Sequence, residues 1–356
     1  MLKYLKYLKS VLLKPERVNH PPIHVQLEVT NYCNLKCKMC IRDNIKTNNK
    51  NMSFDEYKEI ISQIKPQKVT LAGSGEPTIH KDLSKMIEYA GINNISTMIS
   101  SNMTLLNNGD AEELVKSGLN VVKVSIDAAT RQTYLNIRGE DCFEKIISNI
   151  GGIVSAKRKN GLNTPQIRFD YVILKDNVNE MPEVIRLAKN IGIDTVYFRP
   201  LQKVGLKEDV QKQLTKDFDA GALFESLKKT YEAARELKIS TNVSDILSKI
   251  NYYNELYELK LPWTNKICLL PWLQTFVAAN GDVAPCCALY CNEGFKLGNI
   301  FEEGFENIWN GASYAKLRKK FKEHKLFDIC RDCNPKDISM ILSMIKFVPR
   351  FMENKR

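Results

Sequence analysis

The sequence has no long apolar run. Nowhere in its 356 residues is there a stretch of the roughly 18 consecutive apolar residues that a membrane-spanning helix needs. The first 30 residues show no signal-peptide cleavage pattern, which argues against export and against a disulfide framework. The formal charge of +11 indicates an anionic partner, but the basic residues are dispersed and no recognised nucleic-acid module accompanies them. We therefore predict a cytoplasmic globular protein that binds no nucleic acid.

The composition is that of a folded chain with one large core and a smaller module. It is 44% hydrophobic and 26% charged over a length that suits more than one domain. Its ten cysteines are clustered at 33/37/40, 286/287/291 and 330/333, with Cys142 and Cys268 apart. Clustered thiols in a reducing compartment indicate metal ligation rather than disulfides.

Short β-rich runs alternate with amphipathic helical segments over the first 200 residues. Six strands are predicted, at 24–30, 68–73, 95–101, 120–127, 166–174 and 195–201. Helical patterns begin at Ser53, Asp110, Phe143 and Glu180, and each is opened by a polar cap. Alternation of this kind predicts a parallel sheet, either rolled or open.

The pattern of residue types changes after the sixth predicted strand. Residues 206–260 read as charged helices, and short apolar pieces, glycines and cysteines follow. We predict five segments: a basic amphipathic arm at 1–22, a core at 23–235, a helical linker at 236–261, a cysteine-containing domain at 262–335 and an apolar and basic tail at 336–356.

The stretch "NYCNLKCKMC" carries Cys33, Cys37 and Cys40 directly after the first predicted strand. A four-iron cluster prefers thiolate ligands at its four corners, so a loop with three thiolates leaves one iron open. Barrel and doubly wound folds gather their active sites at the carboxyl ends of strands, where this loop lies. The alternatives are a zinc site that lacks a fourth ligand, or buried thiols.

This motif and its position resemble the radical S-adenosylmethionine (SAM) superfamily, and the resemblance covers residues 24 to about 200. It implies that Cys33, Cys37 and Cys40 hold a 4Fe-4S cluster whose open iron binds SAM. Reductive cleavage of SAM then yields a 5′-deoxyadenosyl radical that abstracts hydrogen from the substrate. The residue before the third cysteine is commonly aromatic in this family and is Met39 here, whose backbone remains able to meet adenine.

Further segments extend the resemblance. "AGSGEPTIH" follows the second strand, where Gly73 and Gly75 allow a close backbone approach to a ligand, and Glu76 with Pro77 supplies an acceptor and a fixed turn for an ammonium group. Alone, Gly-Glu-Pro is a common turn, and we expect His80 to be a loop hydrogen-bonder. The resemblance implies further SAM contacts at Ser101, Asn102, Ser125, Asp127 and Arg138.

Three of these positions carry specific expectations. Ser125 and Asp127 would face the ribose hydroxyls and the methionyl part of SAM, and Arg138 would pair with its carboxylate, unless it is a solvated arginine at a helix end. Two catalytic candidates remain: Arg199 as a contact to substrate or SAM, and Cys142 as a hydrogen donor. For Cys142 the alternative is a buried, inert thiol.

The C-terminal region predicts a tight hairpin around Asn280 and Gly281 that delivers cysteines from a strand. The region resembles the SPASM/twitch extension of radical SAM enzymes, with a spacing similar to the 2-deoxy-scyllo-inosamine dehydrogenase family, which holds a single auxiliary cluster. This implies an auxiliary 4Fe-4S cluster on Cys268, Cys286, Cys330 and Cys333, with Cys287 as an alternative to Cys286 and zinc as an alternative occupant.

The predicted protein is thus an α/β enzyme with a partial (β/α)6 TIM-like barrel and a small C-terminal iron-sulfur SPASM/twitch domain. We expect it to oxidise or epimerise a sugar or cyclitol, using a cellular one-electron reductant of the flavodoxin or ferredoxin type. The alternatives are SPASM-type peptide maturation, modification of a lipid or lipid-linked glycan, and a non-enzymatic electron-transfer or scaffold role.

Both ends of the chain are amphipathic. Leu2, Leu5, Leu8 and Leu12 share one helical face near several lysines, and the tail at 336–356 is apolar and then basic. Basic amphipathic helices bind anionic bilayer surfaces, so these segments predict peripheral contact with the inner face of the membrane. The alternative is that both segments pack on the protein with their lysines solvated.

Overall fold

A computed structural model describes residues 2–44, 49–202, 204–216, 218–248, 268–293, 295–331 and 333. Residues 249–261 of the predicted linker and the whole predicted tail at 336–356 lie outside the described residues.

A single sheet organises the described part of the chain. Its ten strands are β1 His24–Leu27, β2 Lys68–Leu71, β3 Ser96–Ser101, β4 Val121–Ser125, β5 Gln166–Ile173, β6 Thr195–Pro200, β7 Ser240–Thr241, β8 Gln274–Val277, β9 Asp282–Ala284 and β10 Gly298–Asn299. Their order is β10-β9-β8-β1-β2-β3-β4-β5-β6-β7. The six predicted strands are confirmed, each shorter than predicted by one to three residues. The architecture is a mixed α/β fold consistent with a partial TIM barrel.

Helices cover one face of this sheet. They are α1 Leu2–Leu13, α2 Phe54–Ile64, α3 Leu83–Ile92, α4 Asn108–Lys116, α5 Arg131–Arg138, α6 Phe143–Lys159, α7 Met181–Ile191, α8 Glu208–Thr215, α9 Ala220–Leu237 and α10 Val243–Leu247. The capping box of α2 shows why its start was predictable, since Ser53 Oγ accepts from the Glu56 N–H while Glu56 accepts from the Ser53 N–H. The strand pattern alone did not predict α3 and α5.

The strands alternate between two environments. On β5, Ile167, Phe169 and Tyr171 are fully buried in the apolar core that the helices share, whereas Arg168 and Asp170 are half-buried. Because successive side chains of a strand point to opposite faces, the half-buried set lies on the face away from the helices. That inner face is the lumen of the partial barrel.

The C-terminal region continues the same sheet. Strand β8 pairs in parallel with β1, and the predicted hairpin is confirmed because β8 and β9 are antiparallel, with Gly281 at φ +87°. Short helices follow, at Leu270–Leu273, Cys287–Glu293, Ile300–Glu303, Phe305–Trp309 and Ala312–Lys322. At the opposite edge, β7 at 240–241 pairs with β6, although the segment was predicted as helical linker. The cysteine-containing region is therefore joined to the barrel by strand pairing.

Arg318 ties the two ends of the chain together. Its side chain is fully buried and donates to the carbonyl oxygens of Pro271, Glu16 and Trp309 at 2.8 to 3.1 Å. The guanidinium carbon also lies 4.3 Å from the Trp309 ring centroid. Backbone carbonyls accept from Nε and Nη1 of Arg318 and so lower the cost of burying its charge.

The N-terminal helix α1 is amphipathic, but Leu5, Leu8 and Leu12 lie on its exposed face and not on the buried one. Its inward face is Tyr7 and Val11, which are 2% and 6% exposed, whereas Leu5, Leu8 and Leu12 are 52%, 41% and 68% exposed. The leucine stripe thus faces away from the protein. Within the described ranges no helix has both the length and the apolar character needed to cross a bilayer.

Candidate active site

The three cysteines of the first motif lie on one loop at the carboxyl end of β1. Cys33 and Cys37 are half-buried, Cys40 is exposed, and the Cys40 N–H donates to the Cys37 carbonyl at 3.0 Å. Burial raises the pKa of the Cys33 thiol, and negative charge on Glu76, Cys37 and Cys40 raises it further. Thiolates this close repel one another, so the donor set fits an iron-containing cationic group.

No three His, Cys, Asp or Glu side chains among the described residues converge closely enough to hold one metal ion. This finding concerns sites for single ions. A four-iron cluster binds each thiolate at a different corner, whereas zinc draws all its thiolates to about 2.3 Å from one atom.

The loop after β2 packs directly against the cysteine loop. A Cβ atom on Gly73 would lie 2.4 Å from Oε1 of Glu28, and one on Gly75 would lie 2.3 Å from the Thr30 carbonyl oxygen. Ser74 donates from its N–H and its hydroxyl to the same Glu28 oxygen, at 2.8 and 2.7 Å. The close backbone approach predicted for Gly73 and Gly75 is therefore an approach to Glu28 and Thr30, not to a ligand. The sequence motif did not reveal Glu28, which is 3% exposed.

Glu76 is a buried hydrogen-bond hub. Its Oε1 accepts from the N–H and hydroxyl of Thr78 at 3.0 and 2.7 Å and from the Ser101 hydroxyl at 2.7 Å, and its Oε2 accepts from the Asn102 N–H at 2.7 Å. Burial raises the pKa of Glu76, while these hydrogen bonds act in the opposite direction. Pro77 starts a short 3-10 helix beside it. The sequence predicted that the Glu76 carboxylate would bind an ammonium group. In the structure its hydrogen bonds are made to Thr78 and to the end of β3.

Asn102 extends this network to the cysteine loop. Its Nδ2 donates to Oδ1 of Asn34 at 3.0 Å, and Asn34 Nδ2 donates to Oγ1 of Thr104 at 2.8 Å. Neither Asn34 nor Thr104 was predicted as a site residue. His80 is a loop hydrogen-bonder as predicted, because its Nε2 lies 2.7 Å from the Met52 carbonyl oxygen.

Asp127 and Arg138 form a buried ion pair. Nη2 of Arg138 donates to Oδ2 of Asp127, whose Oδ1 accepts from the Val172 N–H at 2.6 Å. Nη1 of Arg138 lies 3.5 Å from Sγ of Cys37. Burial alone lowers the pKa of Arg138, but the negative charges of Asp127 and Cys37 leave its pKa above the ordinary value. The two predicted SAM contacts therefore face each other, beside the cysteine loop.

One arginine atom in this pair lacks a partner. Nε of Arg138 is buried and makes no hydrogen bond to any residue described by the structure. An unsatisfied buried donor is costly and is expected where a ligand supplies the acceptor. This observation fits a ligand carboxylate at the site where the sequence places SAM.

Asn177 supports the strained backbone at Asp127. Asp127 adopts φ +52°, and Nδ2 of Asn177 donates to its carbonyl oxygen at 2.9 Å and to that of Val172 at 2.8 Å. Asn177 is fully buried. The signal that could have found it is a polar residue shortly after the end of a buried strand.

The remaining predicted residues have different surroundings. Met39 packs against an apolar cluster that includes Ile137 and Leu174. Ser125 is half-buried at the end of β4. Cys142 precedes α6, and burial raises the pKa of its thiol, with nearby charges from Glu140, Lys145 and Asp141 of its own segment.

The C-terminal cysteines converge from three segments. Burial raises the pKa of Cys286 well above its usual value, and negative charge on Cys287, Cys268 and Cys333 adds to this. The Cys333 N–H donates to the Cys330 carbonyl at 3.4 Å, so these two share one turn. The structure therefore places Cys286 near Cys268 and Cys333, with Cys330 in the same turn as Cys333.

Cys287 and Cys291 face a different environment. Cys287 packs against Phe276 and its neighbours, apart from the core that Cys268, Cys286 and Cys330 contact. Burial raises the pKa of Cys291, and the charges that raise it further belong to Cys287, Glu28 and Cys40. Cys291 thus lies between the cysteine loop and the C-terminal cysteines.

This geometry defines a class of protein: a parallel barrel with a three-thiol loop at its carboxyl end and a second thiol group attached. The profile of the radical SAM superfamily matches residues 27–188, and the SPASM profile, an iron-sulfur cluster-binding domain, matches residues 268–334. The chain therefore contains a radical SAM domain and a C-terminal SPASM domain.

Curated relatives match across both domains. The tungsten-containing aldehyde ferredoxin oxidoreductase cofactor-modifying protein of Pyrococcus furiosus is 24% identical over 331 residues, which covers 88% of each chain. The mycofactocin maturase MftC of Mycolicibacterium smegmatis is 25% identical over 324 residues, covering 89% of this chain and 77% of that protein.

Solved structures share the fold. SuiB of Streptococcus suis bound to its precursor peptide SuiA superposes with a TM-score of 0.66 at 17% identity, covering 89% of this chain and 71% of that chain. Native anSMEcpe with bound AdoMet superposes with a TM-score of 0.64 at 17% identity, covering 93% and 98% of the two chains.

The two domains imply the cofactors. A radical SAM core with a SPASM domain holds a 4Fe-4S cluster, SAM and auxiliary iron-sulfur chemistry. The thiol loop, the buried unpaired Nε of Arg138 and the C-terminal thiol group fit these cofactors.

Proposed function

We propose that this chain is a radical SAM enzyme that modifies a peptide. The observation that carries the proposal is the fold shared, over 89% of the chain, with SuiB in its complex with a precursor peptide. A maturase is also among its relatives across both domains. The sugar or cyclitol substrate that we predicted first gains no support from these relatives, so the peptide alternative is favoured.

The proposed roles follow from the residues at the barrel mouth. When bound, the cluster and SAM supply a carbon radical that abstracts hydrogen from the substrate. Cys33, Cys37 and Cys40 would ligate the cluster, and Arg138 would present its unpaired Nε to the SAM carboxylate while Asp127 keeps the guanidinium in place. The Glu76 network would hold the neighbouring strand ends in register.

For the auxiliary cluster we propose Cys268, Cys286, Cys330 and Cys333 as ligands. Cys286 rather than Cys287 is favoured because Cys286 packs against the same core as Cys268 and Cys330, whereas Cys287 packs against the cluster of Phe276. The matched variants Cys286→Ala and Cys287→Ala test this. Iron content after anaerobic reconstitution should fall by about one cluster in the first variant only, and equal iron loss in both would contradict the assignment.

Enzymatic activity is tested by anaerobic incubation of reconstituted protein with SAM and a strong reductant. Release of 5′-deoxyadenosine is expected, and it should be lost in Cys33→Ala. If spectroscopy finds both clusters intact and no 5′-deoxyadenosine forms, the electron-transfer or scaffold alternative replaces the enzyme.

The substrate class is tested with synthetic peptides encoded by reading frames next to the gene. One of them should stimulate SAM consumption, change in mass, and pass deuterium from a labelled residue into 5′-deoxyadenosine. Turnover of a panel of sugars and cyclitols, with every peptide inert, would instead restore the first prediction.

We also propose peripheral membrane contact through α1, because its leucine stripe faces away from the protein beside lysines. Flotation with phosphatidylserine vesicles should recover wild-type protein, and Leu5→Ser combined with Leu8→Ser should weaken it. The matched control is Ile92→Ser, since Ile92 is 80% exposed on α3. Equal flotation of all three proteins would remove this proposal.

A further inference from the structure

Three charged side chains meet on the inner face of β5 and β6. Arg168 donates from Nε to Oδ1 of Asp170 at 2.6 Å and from Nη2 to Oδ2 at 3.0 Å. Arg199 of β6 also donates to Oδ2 of Asp170. Two positive charges against one negative leave this trio with a net charge of +1.

The trio faces the lumen. Val196 and Phe198 of β6 are buried in the helix-covered core, so Arg199 lies on the opposite face of its strand, as Arg168 and Asp170 do on β5. Lys123 of β4 stands beside Arg168 in the strand register and is half-buried on the same face. This part of the lumen is therefore basic.

Neutralisation of Asp170 alone does not account for the second arginine. Arg168 already engages both oxygens of Asp170, so the carboxylate is neutralised without Arg199. Nε of Arg199 is buried and has no hydrogen-bond partner in the part of the chain that the structure describes. An unsatisfied buried donor is destabilising unless a ligand supplies an acceptor.

Both guanidinium groups keep their charge. Burial lowers the pKa of Arg168 to about 10, and burial together with the charge of Arg168 lowers the pKa of Arg199 to about 10. At neutral pH two like charges therefore share one carboxylate, and a further anion would relieve their repulsion.

The trio lies next to the proposed SAM site. Arg199 pairs in register with Val172, whose N–H donates to Asp127, and the charge of Asp127 acts on Arg199. Any group bound by the arginines would thus lie close to where hydrogen abstraction takes place.

We propose that Arg168 and Arg199 bind an anionic group of the substrate, either a carboxylate or a phosphate. This rests on the proposed function and narrows a peptide substrate to one that places an acidic side chain or its terminal carboxylate in the lumen. Guanidinium groups suit this task because their planar forks bind such oxygens in a bidentate manner.

Thermal unfolding of the reconstituted, full-length protein under anaerobic conditions tests this site. The probes are glutarate and inorganic phosphate, with sodium chloride at equal ionic strength, each measured without SAM and with saturating SAM. A probe at about ten times its dissociation constant should raise the midpoint by about 2 °C in wild type. The rise should disappear in Arg168→Gln combined with Arg199→Gln and persist in the control Arg186→Gln, which alters an exposed ion pair on α7.

The outcomes separate the explanations. A larger rise with phosphate than with glutarate assigns the site to a phosphate-bearing group, and the reverse assigns it to a carboxylate. A rise that vanishes at saturating SAM means that the arginines bind SAM itself and overturns the proposal, as does an equal rise in the double variant or with chloride. If the double variant does not fold, Arg199→Lys replaces it, and we expect a reduced rise because the charge stays but the fork is lost.

Failure here is distinguishable from failure of the proposed function. The anion effect is measured without turnover, whereas the proposed function is judged by 5′-deoxyadenosine release and peptide modification. If the enzyme modifies peptides but the anions do not raise its midpoint, only the anion-binding inference is refuted and the proposed function stands.

Discussion

Gly75 offers the sharpest test of how the cysteine loop is positioned. The perturbation is Gly75→Ala, which adds one methyl group between the loop after β2 and the loop after β1. The new Cβ would lie 2.3 Å from the Thr30 carbonyl oxygen and 2.6 Å from that of Tyr32. Tyr32 directly precedes Cys33, and its carbonyl accepts from the Glu76 N–H at 2.7 Å.

The size of the destabilisation follows from the displacement of the two carbonyl groups. Ordinary contact begins near 3.4 Å, so each carbonyl would have to retreat by about 1 Å, and neither belongs to a side chain that can rotate away. Overpacking of this kind costs about 1–3 kcal/mol, and the involvement of backbone on both sides favours the upper end. The cysteine loop would also be displaced at Cys33, the first of the proposed cluster ligands.

Gly91→Ala is the matched control. Gly91 is the penultimate residue of α3, and a Cβ there would meet nothing within 4 Å. The same substitution should therefore stabilise the protein by at most about 0.5 kcal/mol, because glycine is unfavourable in a helix and less so in its last turn.

The assay is anaerobic urea unfolding of the three proteins, together with iron content and the spectroscopic response of the cluster to SAM. We expect the midpoint to fall for Gly75→Ala and to rise slightly for Gly91→Ala, with the SAM response impaired only in the former. A Gly75→Ala protein with a wild-type midpoint and SAM response would refute the argument that this glycine sets the loop position.

Two further predictions concern buried ionisable groups. Arg138→Gln should lower the stability by about 3–5 kcal/mol, because it leaves the Asp127 carboxylate buried without its partner, whereas Arg131→Gln at an exposed ion pair should cost less than about 1 kcal/mol; equal unfolding midpoints would contradict the buried pair. Burial lowers the pKa of His20 below 6.5, so the unfolded state binds its proton more readily and stability should fall as the pH drops below about 6.5. His20→Gln should flatten that part of the pH profile, and an unchanged slope would count against this origin.

Local pattern was enough to predict the strands and the cysteine loop. The β-branched runs of β1 to β6 pair in the expected parallel sheet, and the loop after β1 carries the thiols where parallel strands end. Such features depend on short-range periodicity, which a single sequence displays directly.

Features that depend on distant partners could not be predicted in the same way. The pairing of Asp127 with Arg138 and the contact between Glu28 and Ser74 require knowledge of which loops meet. Asn177 gave only the weak signal of a polar residue after a strand. The sequence predicted Arg199 as a contact, but the shared carboxylate of Asp170 emerged only from the register of β5 and β6.

The pairing of β8 with β1 has a consequence for the order of assembly. His24 Nδ1 lies 2.9 Å from Oε1 of Gln274, a residue 250 positions later in the chain. Contacts of such long sequence separation form late, because the entropy cost of closing a large loop must be met before the contacts stabilise the fold. Strand β1 therefore pairs with β8 only after the chain between them has been made, and until then this edge of the nascent barrel is unpaired beside the three thiols. We therefore expect iron to be loaded after synthesis is complete, when β8 has paired with β1.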